Sequence, residues 1–284
     1  MNDLDIPARR DMSFYEKYYS PSVCIQGEPL VWWPEQVLGV PIAFLRGALF
    51  SVGKNKRTFF QQAIFSSRDV TIVYTGFQLS QADLDVWAAI LRIARFREHD
   101  NDDGVMFSSG MCIPYIREFL RGMGRGEGGQ DIKRFVASLT RLQSAVVQIN
   151  QGKYGYSGNL INKFEKRGEL YLLSINPEIA KLFGRSGWTA VEVEQRKKLQ
   201  KSPLAQWLHG FYSSHRNSEY CYSVKKIRML CGSTTDDLYG FKRDVKKALQ
   251  KVEDVTGWEC CVLQDDLIQV VKPRRESPMI PTER

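Results

Sequence analysis

A chain of 284 residues has room for two domains at about 100 to 200 residues each. Its 43% apolar and 25% charged residues exclude a wholly disordered chain, a collagen and a coiled-coil rod. Lys and Arg number 40 against 32 Asp and Glu, a formal charge of +8, and a basic balance favours a polyanionic partner. No run approaches the roughly 18 to 20 apolar residues of a membrane helix, and the start is too acidic for a secretory leader, so a soluble, cytoplasmic protein with no membrane partner is expected.

In chain order, residues 1–28 mix Pro7, Pro21, charges and the aromatics Phe14, Tyr15, Tyr18 and Tyr19 without a period, which predicts a flexible N-terminal arm. Strand-like material follows at Leu30 to Trp33, then at Thr58 to Phe65 and Val70 to Tyr74, the last two read as a hairpin turning at residues 66–69. Ser80 with Asp83 three residues on forms a capping box ahead of Leu84, Trp87, Ile90 and Leu91, a helix start in which the Ser80 hydroxyl accepts an early backbone N–H. A helix is predicted over Ile113 to Met123. The glycine run 122–129 contains a formal G-x-G-x-x-G, but after a helix rather than a strand, so it reads as a flexible connector. A third helix, Asp131 to Ser144, leads into a β-ribbon ending near Ile175.

After a short helix near Pro177 to Phe183, the polar segment Glu192 to Lys201 opens a long helix through Trp207 and Phe211. Next come a helix over Ser223 to Leu230, a turn, a helix over Asp236 to Val255, and strands Trp258 to Leu263 and Leu267 to Val271. Both halves thus read as a helix-turn-helix followed by a hairpin. The expected fold is α+β, two tandem winged-helix domains at 29–190 and 191–275, with a loose tail at 276–284.

Each second helix can be tested at about 100° per residue. In the first, Ile132, Phe135, Val136, Leu139 and Leu142 share one face, while Lys133, Arg134, Ala137, Ser138 and Arg141 point away. Arg can meet G O6 and N7 bidentately, and Ala or Ser permits close approach to a thymine methyl or a phosphate. In the second, Leu238, Phe241, Val245, Leu249 and Val252 form the core stripe, opposite Tyr239, Arg243, Lys246, Lys247 and Gln250. Either face alone is an ordinary solvated surface. Two in matching positions on a basic chain point to the major groove of double-stranded DNA. The hairpins add Lys153, Lys163, Lys166 and Arg167 in the first wing and Lys272, Arg274 and Arg275 past the second, suited to phosphates.

Catalysis finds no footing. Gly53-Lys54 and Gly152-Lys153 are not followed by the Ser or Thr of a P-loop, and no two histidines stand one residue apart as a nicking enzyme's metal cradle requires. Asp102-Asp103 and Asp236-Asp237 read as turn and helix-start residues. The six cysteines (Cys24, Cys112, Cys221, Cys231, Cys260 and Cys261) show no C-x-x-C pair, and His99, His209 and His215 lack zinc spacing, so neither metal nor cofactor is expected and the thiols are expected free.

Four stretches carry a family likeness: Leu30 to Glu35 (LVWWPE), Val40 to Phe50 (VPIAFLRGALF), Gln78 to Trp87 (QLSQADLDVW) and Ser202 to Gly210 (SPLAQWLHG). They resemble the TrfA family of IncP plasmid replication initiators, and the likeness runs over essentially the whole chain. It implies two winged-helix domains that bind directly repeated origin sequences (iterons), open the origin, bind single-stranded origin DNA, and recruit the host replicative helicase with host DnaA assisting. It also implies a homodimer in equilibrium with an active monomer, with apolar Leu30 to Trp33 and Ile42 to Phe50 as candidate dimer segments. Some such initiators bind the sliding clamp through a Q-L-x-L-F-like segment. The nearest string, Arg46 to Phe50, lacks the Gln, and a core strand suits Leu49-Phe50 better. A two-domain transcriptional repressor of the same architecture is the alternative.

Overall fold

The computed structural model describes residues 36–53, 57–67, 70–96, 111–113, 115–151, 154–168, 170–183, 187–215 and 221–273. The N-terminal arm, the Leu30 to Trp33 strand, Asp102-Asp103, Lys153, Arg274, Arg275 and the C-terminal tail lie outside the described residues.

The first half opens with β1 (Val37–Pro41), α1 (Ile42–Leu45), β2 (Phe50–Ser51), the hairpin β3 (Thr58–Ile64) and β4 (Thr71–Phe77), then β5 (Leu79–Ser80) and α2 (Gln81–Phe96). It continues through β6 (Met111–Ile113), α3 (Ile116–Gly122), α4 (Gly129–Ser144), β7 (Val146–Gln151), β8 (Tyr154–Asn159), β9 (Ile161–Arg167) and β10 (Leu170–Ile175). A 3-10 turn (Pro177–Phe183) and β11 (Trp188–Glu192) lead to α5 (Val193–Lys198), α6 (Pro203–Ser213), β12 (Tyr222–Ser223), α7 (Val224–Leu230), α8 (Leu238–Thr256), β13 (Glu259–Val262) and β14 (Leu267–Val271).

The architecture is α+β, as expected. One antiparallel sheet runs β3-β4-β7-β8, and its central strands β4 and β7 alternate as in a half-buried sheet: Ile72, Tyr74, Val147 and Ile149 are buried while Thr71, Gln148 and Asn150 are exposed. A second sheet runs β6-β10-β9 and a third β12-β14-β13. The repeated order of elements therefore extends to pairing. In the series α2, β6, α3, α4, β9, β10 and in the series α6, β12, α7, α8, β13, β14, the short strand after the first helix bonds the last strand. The first half inserts the β7–β8 hairpin between its last helix and β9.

Two clusters of apolar side chains form the cores. Phe44, Phe50, Trp87, Leu120 and Phe135 belong to the first, Trp207, Phe211, Ile227, Phe241 and Val252 to the second. A buried polar network stands between them: Arg196 of α5 pairs with Asp85 of α2 and donates to Gln81 Oε1 at 2.9 Å, and Gln206 of α6 donates to the other Asp85 oxygen at 2.9 Å. Each carbonyl or carboxylate taken out of water here keeps a donor, which is the condition for burying it.

Several expectations change. The long helix through residues 192–211 is two helices preceded by a strand, because Pro203 lacks an N–H and fits the first turn of α6 rather than a helix interior. Ile113 lies in β6 and not at a helix start. The Ser80 hydroxyl donates to Asp83 Oδ2 at 2.9 Å, and the same oxygen takes the Ser80 N–H at 2.9 Å, so only the carboxylate half of the capping box forms. The glycine run is a pinned turn: Gly124 has φ +71°, and Arg121 forks Glu127 across it at 2.6 and 2.7 Å. Within Ile42 to Phe50, Ala43, Phe44, Leu45, Leu49 and Phe50 are buried in the first core, so this stretch offers neither a dimer surface nor a clamp-binding string. No described helix is long and apolar enough to cross a membrane.

Candidate nucleic-acid interface

The outward surface of α4 begins with Lys133, Arg134 and Ala137, all exposed. Phe135, Leu139 and Leu142 anchor the opposite face, Phe135 edge-on to Phe119 and Tyr171 with ring centres 5.5 and 5.6 Å away. Arg134 bonds Asp131 one turn back at 3.0 Å, an exposed pair weak enough to be exchanged for a phosphate or a base edge.

Two residues assigned to that face turn elsewhere. Ser138 is 2% exposed, and Arg141 is fixed to the fully buried carboxylate of Asp83 at 2.7 Å while also donating to Ser138 Oγ at 3.1 Å. The wheel set Arg141 opposite the apolar stripe by its angle, but Asp83, itself buried at the start of α2, is the charge that draws it in. Arg141 and Ser138 are thus part of the fit of α4 to α2. Beside them a cleft of about 540 Å³ opens between α4 and the second half, lined in part by Arg125, Arg134, Arg141, Gln200 and Gln206.

In α8 the apolar stripe of Phe241, Val245, Ala248, Leu249 and Val252 is buried, and Tyr239, Arg243, Lys246, Lys247 and Gln250 are exposed. Leu238, expected in the stripe, is 37% exposed because it is the first residue of the helix, with nothing before it to pack under. The helix start is capped on both sides. Asp237 accepts the backbone N–H groups of Tyr239 at 2.9 Å and Gly240 at 2.7 Å, while Arg228 of α7 donates to the carbonyls of Thr235 and Asp236 at 3.0 and 2.7 Å. Gln250 bonds Asp254 at 3.0 Å.

The first wing is two hairpins in two sheets. Lys163, Lys166 and Arg167 belong to β9, next to the turn at Gly168, whose φ of +60° suits glycine. Arg167 forks Glu165 at 2.8 and 3.3 Å and Lys163 lies 3.7 Å from the same carboxylate, so the cations hold Glu165 below the usual carboxylate range. Lys166 stands 5.9 Å above the Tyr171 ring. Past the second wing, Lys272 turns inward: its ammonium donates to the carbonyls of Tyr212, at 2.9 Å, and His215, and lies 5.7 Å from the Trp258 ring. A cation there answers the negative end of α6, so Lys272 belongs to the fold rather than to a phosphate.

Sequence reasoning placed Asp237 at a helix start, where it caps α8, but missed Asp83 as the group that draws in α4. The capping box marked Asp83 as acidic at the start of α2, but nothing local to it points to Arg141. No cluster of three or more His, Cys, Asp or Glu able to hold a metal exists among the described residues. Burial pushes the Cys231 and Cys260 thiols up to about 12.

The family model for TrfA protein matches residues 27–272. The plasmid replication initiator protein TrfA of Escherichia coli is 25% identical over 248 residues, covering 83% of this chain, and this chain spans 62% of that relative's length. Among solved structures, a selenomethionine derivative of domains 2 and 3 of RctB aligns with a TM-score of 0.54 at 11% identity over 81% of this chain and 96% of that one. A second structure of the same two domains gives 0.52 at 12% identity over 80% and 95%. At such identities the two structures are similar to this one in fold alone.

Proposed function

The chain belongs to the TrfA family, and from that premise we propose that it is a plasmid replication initiator that binds directly repeated origin DNA through two winged-helix domains. The supporting observation is the doubled arrangement. Each half holds a long helix with a basic outer face, α4 with Lys133 and Arg134 and α8 with Arg243, Lys246 and Lys247, behind the same pairing of a short strand with a terminal hairpin. A recognition helix so presented enters the major groove, and the hairpin beside it lies along the backbone.

In this reading α4 and α8 read bases, and Lys163, Lys166 and Arg167, together with Lys153, Arg274 and Arg275, neutralise phosphates. The domains divide near residues 190–198, where the first core ends at Val193 and the second begins at Leu199. The protein acts without catalysis or cofactor. Its bound form opens the origin, engages the exposed single strand, and passes the site to the host helicase with DnaA, while a homodimer stores the inactive form.

Footprinting on the origin of the plasmid that encodes the chain tests this at two salt concentrations. Protection of several direct repeats beside an AT-rich tract, weakening uniformly at higher salt, is the expected outcome. Protection confined to one inverted repeat over a promoter would make it a repressor instead.

A further inference from the structure

Tyr239 is 80% exposed, whereas Trp207, Phe211, Tyr212 and Phe241 are buried in the second core. A single exposed apolar ring needs no explanation by itself. Its placement supplies one. Tyr239, Arg243, Lys246 and Gln250 are spaced at i, i+4, i+7 and i+11 and share one face of α8, with the ring at the end from which a recognition helix meets base edges. Its backbone is capped: the Asp237 carboxylate takes the Tyr239 and Gly240 N–H groups at 2.9 and 2.7 Å. Gly240 is part of that arrangement: a Cβ there would lie 2.6 Å from Asp237 Oδ2 and push the cap away.

An aromatic face beside cations, on a pre-set helix end, suits the one apolar feature of the major groove, the C5 methyl of thymine, which guanine, cytosine and adenine lack. We propose that Tyr239 is a specificity-determining residue that selects thymine at one position of each repeat by packing its ring on that methyl. The inference rests on the DNA-binding reading above and goes beyond it in naming which base the ring reads and by which atoms. The tyrosine hydroxyl has no part in the selection.

The test uses the full chain and synthetic duplexes carrying the footprinted repeat, with each thymine replaced singly by deoxyuridine, which removes only the methyl group. At one thymine the wild-type chain should bind about fourfold more weakly, the worth of one methyl taken out of water. Tyr239→Phe should keep that sensitivity, and Tyr239→Ala should lose it, binding thymine and uracil duplexes alike. Circular dichroism verifies that both variants fold. No uracil-sensitive position, sensitivity that persists in Tyr239→Ala, or equal loss in Tyr239→Phe and Tyr239→Ala would overturn the proposal. A wild-type chain with no preference for the repeat over random duplex would instead overturn the DNA-binding reading on which it rests.

Discussion

Arg141 and Asp83 are joined by a fork across the first half: Nη2 donates to Oδ1 at 2.7 Å, and Nε lies 3.1 to 3.2 Å from both carboxylate oxygens. Asp83 is wholly buried, while the Arg141 side chain keeps 31% of its surface. The carboxylate gains two further donors from Ser80, so the arrangement fixes α4 against the start of α2.

Arg141→Gln should therefore act on stability. Removing one partner of a buried pair leaves an uncompensated charge and costs about 3 to 5 kcal/mol; the partial exposure of Arg141 and the Ser80 donors put this case at the lower end. Urea unfolding gives the value. A variant as stable as wild type that has lost preference at one base pair would return Arg141 to the base-reading face.

Lys272→Met should lower stability by about 1 kcal/mol, since it removes a cation from the C-terminal end of α6. The dependence of DNA affinity on salt should stay as it is. A flatter salt slope in this variant, measured by fluorescence anisotropy, would mean that Lys272 meets a phosphate after all.

Arg196→Met should uncouple the two cores. The guanidinium spans Asp85, Gln81 and the Gln206 carbonyl, so its loss leaves Asp85 with Gln206 at 2.9 Å and the more distant Arg125 at 3.9 Å. Calorimetry should show one cooperative transition for the wild-type chain and two for the variant. A single unshifted transition in the variant would show that apolar packing alone couples the halves.

Acid should weaken the second half before neutral pH is far behind. Burial pushes the His209 imidazole from 6.5 down to about 3 and His215 to about 4. Between pH 6.5 and about 4 the unfolded chain then holds protons that the folded chain refuses, so stability falls as pH drops through that window. His215 is tied to the Phe211 carbonyl at 2.7 Å and to the Tyr222 hydroxyl at 2.9 Å, and His215→Gln should reduce the fall of the urea midpoint between pH 7.5 and 5, leaving the part due to His209. A midpoint rising on acidification would contradict the assignment.

The sequence disclosed what depends on local pattern. The stripes of α4 and α8 were legible because 3.6-residue spacing separates Phe135, Leu139 and Leu142, or Phe241, Val245 and Leu249, from the polar face. The hairpins β3–β4 and β13–β14 were legible from alternation and turn residues. What escaped depends on partners distant in the chain. No window around residue 141 contains Asp83, and nothing near Lys272 shows that it meets the end of α6. The pairing of β1 with β11, Val37 opposite Glu192, was equally invisible, since neither segment alternates. Arg243 escaped nothing: it points out as the wheel has it, and Arg243→Ala should cost about 1 to 3 kcal/mol and relax one base position.

In the proposed function α4 and α8 read one repeat from two major grooves at fixed phase, about 10 base pairs apart. Helical phasing tests it most directly. Duplexes carrying one repeat are lengthened at its middle by about 5 or about 10 base pairs, and affinity for the full chain is measured by anisotropy. The shorter insertion should abolish tight binding by turning the half-sites to opposite faces, and the longer one should restore part of it. Equal affinity for both insertions, or full affinity with the second domain alone, would contradict it.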